Sequence, residues 1–287
     1  MPKPRHPVFR SVWWSCNLLL AAAFLGVLVA GLREFGLRYY LDGFSDAIAP
    51  SVLPAEPKVQ AILNWMRIEP LRAVAANPRA LSLRDPYITL NYQQLLRVCG
   101  TATNAFLILA REDDLSVRRL LLLALDGSTK HVVAEVFMDG RWIVVDPRYH
   151  LIMKDAQGRL LTRQDLQNPA VFRQAVGPVA DYPRNYNYEH TTQVRLERVP
   201  LFAAWHLRKV LDTICPSWDE AADWSLLLER ESFFYFTLAW VAMIFLLVVR
   251  FLPGWYADSR LRMPRFPLRD RVLRASVAFF STPEIKE

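Results

Sequence analysis

The residue best suited to nucleophilic chemistry in this sequence is Cys99. It stands where a helix is predicted to begin, and a thiol at that position experiences the positive end of the helix dipole, to which nearby Arg97 adds. Both influences favour the thiolate, which is the nucleophilic form of cysteine. The alternative for a single cysteine is a small buried side chain without reactivity. A base close to Cys99 would therefore decide between the two interpretations.

The segment HVVAEVFMDGRWIVVDP, residues 131–147, supplies that base and a partner for it. Asp139-Gly140 between alternating apolar runs is typical of a two-residue hairpin turn, which needs positive φ at both positions. The turn fixes the register of the two strands. Because side chains alternate between faces, His131 and Asp146 become diagonal neighbours on one face. The alternative is a strand that opens with a solvated histidine and closes with a turn-forming Asp-Pro.

Cys99, His131 and Asp146 together make a complete set for nucleophilic catalysis. Histidine is the side chain that accepts a thiol proton near neutral pH, and its second ring nitrogen needs a partner to fix the tautomer. We therefore predict that Cys99 is the nucleophile, that His131 is the base and that Asp146 orients the imidazole. A disulfide between Cys99 and Cys215 is a competing, purely structural role for the thiol.

Residues 99–147 resemble the core of the transglutaminase-like superfamily, which has a papain-like cysteine enzyme fold. The resemblance is carried by CGT at 99–101, HVVAEV at 131–136, the DGRW turn at 139–142 and VDP at 145–147, in the family's order of Cys, His and Asp. With the predicted helix from Lys58 and the later strands, we expect it to extend over residues 55–196.

The resemblance implies a reaction and further site residues. It implies attack on an amide carbonyl and a thioester acyl-enzyme that water or an amine resolves, with no cofactor. The oxyanion would be held partly by the Cys99 backbone N–H, with Gln93 or Gln94 as a side-chain donor. The alternative for these glutamines is a solvated helix face. Trp142 is expected either to shield the site or to pack beneath it.

The sequence departs from the family's pattern at three places around the site. Arg97 stands where many relatives have glycine, Gly100-Thr101 replace an acidic residue that often follows the cysteine, and Lys130 replaces a small residue before the histidine. These departures affect the expected substrate geometry more than the triad itself.

Two apolar segments are each long enough to cross a membrane. Residues 12–32 carry no charge, and residues 232–249 form a second uncharged run, extended by 251–252. Each lies within the roughly 17–25 residues with which a helix crosses a hydrocarbon core of about 30 Å. The first run is longer than the apolar region of a signal peptide, so we expect an uncleaved anchor.

The flanking charges predict the orientation of these segments. Basic residues precede the first and follow the second, whereas the chain just before the second is acidic. The positive-inside rule then places both termini in the cytoplasm and residues 33–231 outside it. This arrangement suits a protein of the bacterial inner membrane. The net charge of +7 is explained by these anchors, so lipid is an expected partner and nucleic acid is not.

The sequence predicts no metal site. His150, His190 and His206 lie apart without metal-ligand spacing, and no glycine-rich phosphate loop is present. Residues 168–190 are rich in Pro, Tyr and Asn. We predict a surface loop there, with a substrate cleft lined by Tyr182, Tyr186 and Tyr188 as the alternative.

The predicted order of two helices followed by strands is typical of an α+β fold. We therefore expect an α+β, papain-like/transglutaminase-like core domain flanked by two transmembrane helices. The expected parts are a cytoplasmic N-terminus (1–11), transmembrane helix 1 (12–32), a linker (33–54), the transglutaminase-like domain (55–196), a helical connector (197–231), transmembrane helix 2 (232–252) and a basic cytoplasmic tail (253–287).

Two functions follow as hypotheses. The first is a cysteine hydrolase or acyltransferase that acts on a protein, a peptide or an amine-bearing envelope polymer near the membrane. The second is a non-catalytic scaffold in an envelope or polysaccharide assembly, since a fold does not by itself specify a function.

Overall fold

The computed structural model of this protein describes residues 7–68, 74, 84–125, 128–193, 209–210, 212–213, 226–227 and 230–259. Within these ranges the chain is an α+β protein with one five-stranded antiparallel sheet, which confirms the predicted class. Cys215, His206 and the residues of the basic tail from 260 onward lie outside the described residues.

The chain divides into two compact units, Met1–Leu28 with Leu238–Glu287, and Val29–Thr237. Helices α1 (Pro7–Ile48) and α7 (Glu231–Ser259) each contribute to both units. Both are long and apolar enough to cross a membrane, over Ser11–Ile48 and Glu231–Tyr256. In the first unit, Arg250 Nε donates to Asn17 Oδ1 at 2.6 Å and its guanidinium lies 4.5 Å from the centre of the Trp13 ring.

Helix α1 continues to Ile48, through residues 33–48 that were predicted as part of a linker. Leu37, Leu41 and Ser45 follow one another at four-residue spacing and are buried, so this stretch has one face against the second unit's core. Ser45 Oγ also donates to the Leu109 carbonyl at 2.8 Å. The helix therefore continues beyond the end of the uncharged apolar run because one of its faces remains buried.

The second unit contains helices α2 (Ala55–Ile68), α3 (Pro86–Asn91), α4 (Gln93–Leu96) and α5 (Cys99–Glu112) ahead of the five strands of its sheet. Its strands are β1 (Val117–Leu123), β2 (Thr129–Met138), β3 (Arg141–Asp146), β4 (Leu151–Ile152) and β5 (Thr191–Thr192), and helix α6 (Pro169–Ala175) precedes β5. The strands lie in the order β4-β3-β2-β1-β5, so the β2–β3 hairpin has a neighbour on each side.

The two faces of the sheet are covered by different layers. One face packs against α2 and α5 in a buried cluster that includes Val59, Ile62, Phe106, Leu109, Ala134, Val136, Ile143 and Val145. The opposite face packs against α6 and the loop after it in a second buried cluster, which includes Leu120, Val133, Val144, Phe172, Tyr182 and Tyr188. The sheet is thus buried on both faces around the hairpin, which holds the register of β2 and β3 in place.

The predicted hairpin register is confirmed. Met138 pairs with Arg141 and Ala134 with Val145, so the next residue pair along the strands is Val133 and Asp146. Asp139 and Gly140 have φ values of 51° and 74°, as a type I′ turn requires.

Replacing Gly140 by alanine should lower the free energy of unfolding by about 1 kcal/mol, because an L-residue is strained at positive φ. A Cβ added there meets no atom within 4 Å, so the cost is backbone strain alone. Gly43 in α1 is equally open but helical, and Gly43→Ala should stabilise by about 0.5–1 kcal/mol. Denaturant titration of the solubilised chain measures both, and full stability in Gly140→Ala would contradict the turn geometry.

Candidate active site

Cys99 is the first residue of α5, as predicted. Val98 before it is extended, with φ −102° and ψ 128°, and no side chain caps the helix. The hydroxyl of Thr101 donates to the carbonyls of Leu95 and Val98, which ties the first turn of α5 to the chain ahead of it. The thiol of Cys99 is free and half-buried, so it is not in a disulfide. The sequence therefore presents this thiol at a fixed helix start rather than on a loop.

His131 lies where the pairing of β2 with β1 becomes irregular. It pairs with Leu122, and the register shifts at the next residue of β1. The hydroxyl of Thr103 in α5 donates to the Val132 carbonyl at 3.0 Å, so the second turn of α5 is fastened beside the histidine. The His131 side chain is 2 % exposed. These contacts bring the start of α5 and the start of β2 together.

Asp146 ends β3 and is fully buried, and its carboxylate accepts four hydrogen bonds. Oδ2 accepts from His131 Nε2 at 2.7 Å and from the Tyr182 hydroxyl at 2.8 Å. Oδ1 accepts from the backbone N–H groups of Arg148 and Tyr149 at 3.0 and 3.3 Å. Donors of this kind favour an ionised carboxylate and hold it in one orientation. The predicted contact between His131 and Asp146 is therefore present.

The bond from Nε2 to Asp146 leaves Nδ1 as the His131 nitrogen for Cys99, whose side chain hydrogen-bonds to the imidazole. Burial raises the pKa of the Cys99 thiol, but the hydrogen bond and charge of His131, with the backbone N–H groups of Val132 and Gly100, outweigh it and bring that pKa below its ordinary value. The site thus favours a thiolate.

The pKa of the His131 imidazole is shifted in the opposite direction, upward. Burial lowers the pKa of His131, but the hydrogen bonds and charges of Asp146 and Cys99 outweigh it and raise that pKa to about 9. A thiol with a lowered pKa beside an imidazole with a raised pKa favours a thiolate–imidazolium pair.

Tyrosines from the loop after α6 lie around the histidine. The sequence indicates Tyr182, Tyr186 and Tyr188 only as the alternative, the lining of a substrate cleft, and does not predict their contacts with the triad. Tyr186 stacks on His131 with ring centres 4.5 Å apart and planes 9° apart, and Tyr149 lies 6.0 Å away. Tyr182 and Tyr188 are 3 % and 0 % exposed, so a plain surface loop is the wrong description of this segment. Burial raises the pKa of Tyr182, which keeps its hydroxyl protonated to donate to Asp146.

The remaining predicted site residues divide into two groups. Gln93 and Gln94 form the first half of α4, half-buried and directly upstream of Cys99. Trp142 lies on β3 four residues before Asp146, about 13 Å along the strand. Its ring contacts Phe137 at 5.3 Å, and the Arg118 guanidinium lies 4.1 Å from its centre. The structure therefore places Trp142 in sheet packing, whereas Gln93 and Gln94 stand six and five residues before Cys99 in the sequence.

No set of three metal-ligating side chains occurs among the described residues, which include His150 and His190 but not His206. Comparison with known proteins finds no family model, no curated protein and no solved structure that matches the chain. The arrangement can nevertheless be interpreted chemically from its own geometry. A thiolate beside an imidazolium whose other nitrogen is held by a carboxylate can attack a carbonyl carbon and then protonate the departing group.

Proposed function

We propose that this protein is a membrane-anchored, transglutaminase-like cysteine enzyme that attacks amide bonds of a substrate outside the cytoplasm. The observation that carries the proposal is the unbroken connection from the Cys99 thiol through His131 to Asp146. A structural cysteine has no need of such a connection, whereas a nucleophile needs all of it. The hairpin order and the helix start that support this connection are also those of the family that the sequence resembles.

In the proposed reaction the Cys99 thiolate forms a bond to the amide carbonyl carbon. The Cys99 backbone N–H stabilises the oxyanion, with Gln93 or Gln94 as the nearest side-chain amides upstream. His131 gives its Nδ1 proton to the departing nitrogen as the C–N bond breaks, which leaves a thioester. Water or an amine then attacks the thioester while His131 takes its proton, and the thiolate is released.

The two apolar helices motivate the membrane part of the proposal. If α1 and α7 span a bilayer with the orientation that the flanking charges predict, residues between them lie outside the cytoplasm. The site is covalently continuous with both helices, so its substrate must come close to the bilayer surface. A membrane-proximal protein, a peptide or an amine-bearing envelope polymer fits this requirement.

The test is the reactivity of Cys99 toward iodoacetamide as a function of pH, measured on the solubilised full chain by mass spectrometry of the modified peptide. We expect alkylation to rise at a pH below the ordinary thiol value of about 8.5 and to rise again near pH 9, where His131 loses its proton. The first rise reflects thiolate formation beside a charged imidazole, and the second reflects loss of that charge.

The variant His131→Ala should abolish the first rise and move alkylation of Cys99 to about pH 8.5 or above, because the hydrogen bond and charge of His131 are lost while burial, the largest influence on the thiol, remains against only the Val132 and Gly100 N–H groups. The exposed His190 gives a matched control, since His190→Ala should leave both rises unchanged. An ordinary single rise near pH 8.5 in the natural chain would contradict the proposed activation of Cys99.

A further inference from the structure

Tyr186 is the residue whose placement is not explained by the triad alone. It is half-buried, it follows α6 in a segment without helix or strand, and yet its ring lies parallel to the ring of a histidine 55 positions earlier. We propose that Tyr186 is a positioning residue for the reaction, which holds the His131 imidazole flat between Cys99 and Asp146 and favours its charged form. This inference depends on the proposed function.

The two hydrogen bonds of His131 leave one motion of its ring uncontrolled. Asp146 at Nε2 and Cys99 at the other nitrogen fix the direction of the imidazole in its own plane. Neither bond prevents the ring from tilting about the line that joins the two nitrogens. A second ring parallel to within 9° and centred 4.5 Å away blocks that tilt on one side. Tyr186 thus restrains the degree of freedom that the triad does not.

The same contact places the π face of an aromatic ring against a group that must carry positive charge. His131 is 2 % exposed, so water contributes little to solvating an imidazolium there. The negative face of a tyrosine ring attracts a cation and compensates part of that lost solvation. The stacking therefore favours the charged histidine over the neutral one.

Tyr186 is held in place from both sides of the loop. Tyr182 is anchored through its hydroxyl to Asp146, and its ring lies 5.9 Å from that of Phe172 in α6. Tyr188 is fully buried, with its ring 5.8 Å from the same phenylalanine. Because anchors four residues before and two residues after it are fixed in the core, a half-exposed ring at position 186 keeps its orientation.

Removal of the Tyr186 ring leaves the other groups around the histidine intact. The titratable groups that face His131 are Cys99 from α5, Asp146 from β3, Tyr149 after β3, and Tyr182 and Tyr186 from the loop, while the charge of Arg148 acts on Tyr149 and Tyr186. Among the ring contacts of His131 in the described chain, only that with Tyr186 is a parallel stack, since Tyr149 and Tyr182 are inclined at 55° and 87°.

The experiment compares Tyr186→Leu with Tyr186→Phe in the full-length solubilised protein, using iodoacetamide and Cys99 as before. Leucine keeps apolar cover over the imidazole but has no π face, so the second rise in alkylation should move from near pH 9 to a pH lower by about half a unit. Phenylalanine keeps the stacked ring and should leave this rise unchanged. Tyr87→Leu, which removes a ring tilted by 38° against that of Tyr40 and absent from the described ring contacts of His131, is the control.

The outcomes separate this inference from the proposed function. If the natural chain lacks the early rise, the proposed function fails. If the natural chain shows both rises, and Tyr186→Leu leaves the second rise at the same pH or moves it to a higher pH, only the role of Tyr186 is overturned. A merely structural role would lower the thermal stability of the leucine variant without moving the second rise. If the second rise moves as far in Tyr186→Phe as in Tyr186→Leu, the stacking argument is also overturned.

Discussion

Replacing Cys99 by alanine should reduce turnover of an activated acyl substrate such as p-nitrophenyl acetate by about 10³ to 10⁶-fold, which is the range expected when a catalytic nucleophile is removed. The reason is chemical rather than structural. The thiol is half-buried at the first position of α5, and alanine keeps the backbone and the Cβ while it removes the sulfur. The variant should therefore unfold at nearly the same temperature as the natural chain. Turnover is followed by release of p-nitrophenolate.

Two further variants sharpen this test. Cys99→Ser retains a hydrogen-bonding group beside His131 but replaces a thiol with a lowered pKa by a hydroxyl, so it should be nearly as inactive as alanine. Cys16→Ala removes another free cysteine, which lies in the apolar part of α1, and should retain full turnover. Full activity in Cys99→Ala, or rescue of a deletion strain by it, would favour the scaffold hypothesis instead.

The geometry between His131 and Asp146 could be predicted because it depends on local rules. A two-residue turn at Asp139-Gly140 allows one register, and a period of two along each strand then determines which side chains share a face. The start of α5 at Cys99 was likewise predicted from its place between a loop and a periodic apolar stripe. These features require only a few neighbouring residues, so the sequence determines them.

Short elements at the edges of the unit were less predictable. Pro78, Pro86 and two asparagines predict a loop over residues 74–91, whereas Pro86–Asn91 form α3, with Asp85 accepting a bond from the Tyr87 N–H. The signal was present, since aspartate before proline is typical of a helix start. In a segment rich in proline, however, the same residues are also typical of turns. The predicted edge strand from Thr191 is present as β5, beside β1.

The tyrosines around the site could not be predicted, because their positions depend on tertiary contacts. Tyr182 reaches Asp146 across 36 positions of sequence, and Tyr186 reaches His131 across 55. The spacings of four and two residues would suit one face of a strand, but Pro183, Asn185 and Asn187 between the tyrosines are typical of loops. Polar composition therefore suggested a solvated loop, although the rings are buried against α6 and the sheet.

The acceptor arrangement at Asp146 leads to the second large prediction. Asparagine has the same shape as aspartate but only one acceptor oxygen. If that oxygen faces His131 and Tyr182, the amide NH₂ meets the backbone N–H groups of Arg148 and Tyr149. If the amide is reversed, the NH₂ meets the imidazole and the tyrosine hydroxyl. Either orientation leaves buried donors unpaired, so Asp146→Asn should destabilise the unit by about 1–3 kcal/mol.

The larger effect of Asp146→Asn should be on the chemistry. The hydrogen bond and charge of Asp146 are among the main influences that raise the pKa of His131 to about 9 against the opposing effect of burial. Without them that pKa should fall toward or below the ordinary 6.5, so the imidazole would be neutral at pH 7 and would no longer stabilise the Cys99 thiolate. We expect kcat/KM at pH 7 to drop by about 10² to 10⁴-fold.

The direction in which Asp146→Asn shifts the pKa values of His131 and Cys99 can be measured separately from its effect on stability. The second rise of Cys99 alkylation, expected near pH 9, should disappear in Asp146→Asn, and the first should move up toward the ordinary thiol value. Asp155→Asn is a matched control, because among the described residues that carboxylate accepts bonds from the Gln157 N–H and from Arg159 in its own turn. If the asparagine variant loses stability but both rises stay in place, Asp146 supports the fold alone. If both rises move as described, Asp146 maintains the charge on His131, and the thiolate of Cys99 depends on that charge.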